Sequence, residues 1–163
     1  MDQRIQEFAE KLVNYCCSVQ KGERVLIKVT DEDAFPLVRQ LIKEVYKVDA
    51  YPYVNLENSS ITRELLMGCT KEQLEFFNKT ELQWIKGMDA CIYIRGFSNA
   101  SELADVPDDR MKIFTEMGLE IQQARLKGTK WVGLRYPNYA IAQLAGMSLE
   151  SYENFHYNVC NMD

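Results

Sequence analysis

Four short runs rich in β-branched and aromatic residues recur along this chain, each separated from the next by sequence of helical period. That alternation restricts the fold more than anything else in it. The runs are 24–29 (RVLIKV), 51–56 (YPYVNL), 89–95 (DACIYIR) and 130–134 (KWVGL). Parallel strands cannot be joined by a tight hairpin; they need a crossover of a dozen or more residues, and a helix supplies it. The expected class is therefore α/β: a three-layer domain with a mostly parallel, open, twisted sheet and helices on both faces. Pro52 lacks a donor for one ladder bond, which places the second strand at an edge. The expected order has strands one and three at the centre, flanked by two and four.

The helical segments carry their own signals. Residues 3–18 place Ile5, Phe8, Leu12 and Tyr15 on one stripe, with Ala9 and Cys16 beside them. After the first strand, Asp31 or Asp33 caps a helix whose stripe is Phe35, Val38, Leu41, Ile42, Val45 and Tyr46, with Pro36 tolerated in its first turn. A short helix over 61–67 stops at Gly68. Thr70 with Gln73 forms a capping-box pattern for a helix through about Asn78, Thr80 with Gln83 caps a further turn or two toward Lys86, and Gly87 ends it. Asp108 caps a long helix over 109–127 that Gly128 stops, and two last helices cover 138–145 and 149–160. The final one opens at Ser148 and carries no terminating signal before Asp163. This predicts that residues 1–163 form one domain of a larger protein, with no repeat, low-complexity tract or linker inside it.

Composition narrows the function class. With 47% hydrophobic residues the chain can build a core, and a net charge of −5 argues against nucleic acid and anionic membranes as partners. No apolar run approaches the roughly 20 residues of a membrane span. The charged, helix-like N-terminus is not a signal peptide. Five cysteines (Cys16, Cys17, Cys69, Cys91 and Cys160) are an odd number without Cys-x-x-Cys spacing, which predicts reduced thiols and a cytoplasmic location.

In open α/β sheets, ligands sit beyond the carboxyl ends of the strands. Three loops qualify: Thr30, Asp31 and Glu32 after strand one; Arg95, Ser98, Asn99 and Glu102 after strand three; Arg135, Tyr136 and Asn138 after strand four. Asn99, Glu102, Arg135 and Tyr136 are the crevice candidates, although Asp31, Asn99 and Asn138 are equally good turn and cap residues. No residue qualifies as catalytic and none as a metal ligand. The single histidine, His156, rules out His-Glu-x-x-His within the chain, and there is no Gly-x-Ser-x-Gly elbow, Gly-x-Gly-x-x-Gly turn or Gly-Lys-Ser/Thr loop. His156 falls near the apolar stripe Leu149, Tyr152, Phe155 and Val159 of the last helix, where a half-buried histidine at a helix surface or domain seam is the plainer reading. Glu150 and Glu153, three apart, are a pair of the kind usually found solvated.

Four segments resemble one known family. FAEKLVNYCCSVQKGERVLI, AFPLVRQLIKEVYKVDAYPYV, NASELADVPDDR and, most specifically, YPNYAIAQLAGMSLESYENF are similar to the aminopeptidase T and aminopeptidase S family, also called the thermophilic metalloprotease family. The resemblance implies a two-domain metal-dependent aminopeptidase that removes N-terminal residues from short peptides. It implies two divalent ions, zinc, cobalt or similar, held by a second domain whose ligands map to no position here, and a homodimer around an enclosed cavity. On that view the chain is the N-terminal domain, inert by itself, and Tyr152, Phe155 and His156 lie near the domain seam. The alternative is a stand-alone module for small-ligand binding or dimerisation.

Overall fold

The computed structural model describes residues 2–161. Helix α1 (Gln3–Lys11) opens on Asp2, whose carboxylate accepts from the Arg4 amide, and continues into a wider π-turn over Leu12–Cys16. Strand β1 (Arg24–Val29) follows, then a 3-10 turn (Glu32–Ala34) capped by Asp31, and α2 (Phe35–Lys47). Next come β2 (Tyr51–Leu56), α3 (Ser59–Gly68), α4 (Lys71–Lys86), β3 (Ala90–Arg95), α5 (Asp108–Gly128), β4 (Lys130–Arg135), α6 (Tyr139–Leu144) and α7 (Leu149–Cys160).

All strand pairs are parallel and the order is β2-β1-β3-β4, with the proline-bearing strand at the edge as expected. Alternate residues of each strand serve opposite layers. One face presents Val25, Ile27, Val29, Ala90, Ile92 and Ile94 to α1, α2 and α7, and this is the main core. The other face buries far less: Leu26 and Cys91 meet Ile85 and Met88, with Trp84, Ile121 and Ala124 at the margin. A third small cluster, around Leu66, Cys69 and Val106, ties α3 to α4 and α5. The layer of α3, α4 and α5 thus rests on the sheet by its edges.

Four local expectations are corrected. The first stripe fails at its end: Tyr15 is 82% exposed and Cys16 is exposed, whereas Cys17 is buried. The π-turn is the cause. Cys17 N–H bonds to the Leu12 carbonyl at 3.0 Å, so one extra residue enters the turn and later side chains rotate away from the stripe. Helix α4 does not break near Asn78. The Thr80 hydroxyl bonds back to the Phe76 carbonyl at 3.0 Å, which satisfies it inside a continuous helix instead of capping a new one. Asp108 does not cap α5; Pro107 holds that position and Asp108 is the first helical residue, where its charge suits the helix dipole. In α2, Phe35 and Tyr46 at the ends of the expected stripe are exposed, and Leu37, Val38, Leu41 and Val45 carry the packing. Helix α7 ends at Cys160 with Asn161 as its C-cap; Met162 and Asp163, which the uncapped pattern takes in, lie outside the described residues.

Candidate functional site

At the strand ends the three loops converge, and their polar groups bond mainly to each other. The Thr30 hydroxyl donates to the Gly96 carbonyl (2.9 Å) and accepts from the Gly96 amide (3.0 Å). Asp31, almost fully buried, accepts from the Ser98 hydroxyl at 3.0 Å and from the Asp33 amide at 3.2 Å. The Asn138 amide group donates to the Asp33 carboxylate (3.1 Å) and the Phe97 carbonyl (3.0 Å), while its oxygen caps α6 through the Ile141 amide. Buried polar atoms need such partners, and here they close the crevice as a seam between loops.

The four crevice candidates divide. Asn99 and Glu102 touch each other at 3.0 Å on the surface, and Asn99 also accepts from the Ser101 amide, an Asx-turn. Arg135 is exposed and in register with Arg95 on the neighbouring strand. Tyr136 turns to the opposite face, 8% exposed within the main core, where its hydroxyl pairs with that of Tyr157. Burial raises the pKa of both phenols, so they are neutral, mutually bonded core groups.

The seam candidates lie on α7. Its buried contact is Tyr157, edge-on to Phe8 at 6.0 Å with Arg4 over its ring at 5.0 Å. His156 is half-buried between Phe8 (5.5 Å) and Tyr152 (6.4 Å), and burial lowers its pKa. Phe155 is 57% exposed and Val159 is exposed beside it, so the outer face of this helix is apolar and uncovered in the described chain.

The charged constellation that sequence patterns missed sits on the weakly covered face of the sheet. Lys28 of β1 forms ion pairs with Glu57, at 3.0 Å, and with Glu81 of α4. Burial works against its charge, but the two carboxylates outweigh that and its pKa is raised. Beside this trio, Tyr93 of β3 carries the guanidinium groups of Arg95 and Arg125 over its ring at 5.1 Å and 4.8 Å. Burial pushes the neighbouring Cys91 thiol up to about 11, so it is protonated and inert at neutral pH. These groups floor a cavity of about 1100 Å³ between the sheet and α3, α4 and α5. The one sequence signal was Lys28 itself, a cation in the middle of an apolar strand; Arg125 reads only as a basic residue suited to a helix C-terminus.

A family model for thermophilic metalloproteases (M29) matches residues 1–163. The chain belongs to the M29 family. Among solved structures it is similar to wild-type AmpT from Thermus thermophilus, with a TM-score of 0.71 and 17% identity over 98% of this chain. That match covers 43% of the AmpT chain, so this M29 sequence spans less than half of its structural relative. At this identity the likeness speaks for the fold. No match was found among curated proteins.

The family's description calls for a metal, and the residues here do not fit one. Among the described residues no three His, Cys, Asp or Glu side chains group so as to hold an ion. Glu57 and Glu81, which share Lys28, are already neutralised in part by it. The described residues also contain no helix long and apolar enough to cross a membrane.

Proposed function

We propose that this chain is the N-terminal domain of a metal-dependent aminopeptidase that removes N-terminal residues from short peptides, acting as a cytoplasmic homodimer. The observation that carries this reading is the M29 match along residues 1–163. The two divalent ions of the whole enzyme belong, on this reading, to a part of the protein beyond the described residues, and this domain is non-catalytic. Its own share is structural: the strand-end groups Asn99, Glu102 and Arg135 form part of a cavity wall, and the uncovered apolar face of α7 meets a second domain. A structural relative more than twice as long leaves room for that domain. The five free thiols favour a reducing compartment. The test is hydrolysis of a leucyl peptide by the purified chain with added Co²⁺ or Zn²⁺. No release of leucine is expected, and metal-dependent release would overturn the non-catalytic assignment.

One observation favours a second reading, a small-ligand module that works without a catalytic partner: the cavity over the Tyr93 face. The two readings part on what the native protein contains beyond residue 163.

A further inference from the structure

Three cations gather around the Tyr93 ring: Lys28 at 5.9 Å, Arg95 at 5.1 Å and Arg125 at 4.8 Å from its centroid. Two carboxylates stand near them, Glu57 and Glu81, and both bind Lys28. Among the described residues neither arginine forms an ion pair. Arg95 is exposed, so water can meet its charge. Arg125 is different. It is 8% exposed, its guanidinium lies between the rings of Tyr93 and Trp131 (5.8 Å), and its Nε is enclosed with no acceptor. Buried charges are normally both paired and hydrogen-bonded. Two aromatic faces offset part of that loss but accept none of the guanidinium's five N–H groups in the ring plane.

Arg125 and Arg95 both line the cavity, and so do Phe76 and Phe77 of α4 and Phe114 and Leu119 of α5, of which Phe76, Phe77 and Leu119 are more than half exposed. The cavity volume, about 1100 Å³, lies slightly above the usual range for small-molecule sites. The remaining carboxylate in the lining, Glu32, is exposed and pairs with neither arginine. Over the whole lining three cations balance three carboxylates, so among these described residues the enclosed Arg125 is the one cation with neither an ion pair nor full access to water, which suits a monoanion better than a phosphate ester. The planar guanidinium fork matches a carboxylate.

We propose that this cavity binds an apolar monocarboxylate, with its carboxylate on Arg125, Arg95 beside it, and its apolar body against the phenylalanines of α4 and α5. Two sources share that chemistry: an alkyl carboxylic acid, and the free C-terminus of a short apolar peptide. The site does not depend on the aminopeptidase reading.

The test is calorimetric titration of the 163-residue chain with octanoate and with N-acetyl-leucyl-phenylalanine, each beside its neutral amide. At least one acid is expected to bind at one site per chain, about tenfold or more tighter than its amide, the share of one charge-assisted pair. The acid that binds identifies the source. Arg125→Met is expected to abolish the preference for acid over amide without lowering the thermal midpoint, because it removes a buried, unpaired charge. Arg125→Lys keeps a cation in place should the methionine variant fail to fold, and is expected to weaken the acid severalfold by losing the fork. Acids that bind no tighter than their amides, absence of binding by both acids, or an undiminished preference in the arginine variants would overturn the assignment.

Discussion

The Cβ of Asp31 stands 2.8 Å from where a Cβ on Gly96 would lie, so the loops after β1 and β3 meet at a contact that only glycine permits. The contact sits inside the hydrogen-bonded seam that closes the strand ends. Asp31 is held there by Ser98 and by the turn it caps. Gly96→Ala must push back a side chain at its root rather than at a flexible tip. A loss of about 1–3 kcal/mol is expected in denaturant titration. A variant as stable as the parent would show that the seam yields freely.

The Lys28 trio makes a second prediction. Lys28→Met leaves Glu57 and Glu81 facing each other in a poorly hydrated site without their cation. Removing one partner of such a pair costs about 3–5 kcal/mol when it is buried; Glu57 is partly exposed, which places the expected loss near the lower figure. Adding Glu81→Leu should restore much of it, since the buried carboxylate is then gone. A full double-mutant cycle by chemical denaturation checks both values.

His156 sets a pH dependence. Its pKa is lowered in the fold by burial, so the unfolded chain takes up a proton more readily. Stability contributed by the neutral ring is complete above the unfolded value of 6.5 and is lost as pH falls from there toward the folded value. The thermal midpoint should therefore decline more steeply below pH 6.5 in the parent than in His156→Phe. Identical slopes would remove His156 from the account.

Phe155 tests the proposed seam. Because its ring is mostly exposed, Phe155→Glu should change the stability of the 163-residue chain by no more than about 0.5 kcal/mol. In the native protein, with a second domain against α7, the same change should destabilise by about 2 kcal/mol or more, as burying an unpaired carboxylate does. Equal effects in both would mean that α7 faces solvent in the native protein too.

The sheet was legible from sequence because its signals are local and redundant. RVLIKV and ACIYIR are rich in β-branched residues and each carries one wholly apolar face, whereas YPYVNL carries the proline that marks an edge. The π-turn at Leu12–Cys16 was not legible, because the apolar spacing runs through Tyr15 without a break and nothing in it marks the extra residue. Of the site, the loops were placed correctly at the strand ends, but Tyr136 was not separable from Arg135. Which of two adjacent residues faces the core depends on the register of β4. Of the Arg125 cavity, local sequence shows only Lys28, a cation inside an apolar strand. The cavity arises from the standoff between α5 and the sheet, and the groups that line it lie as far apart along the chain as Lys28 and Arg125.

The central claim, that this M29 domain is the non-catalytic part of a longer aminopeptidase, is tested most directly by the intact mass of the protein from its native source. The account predicts a mass more than twice the 19.0 kDa of this chain, in a fraction that releases N-terminal residues from peptides only with a divalent metal present. A native protein of 19.0 kDa would contradict it.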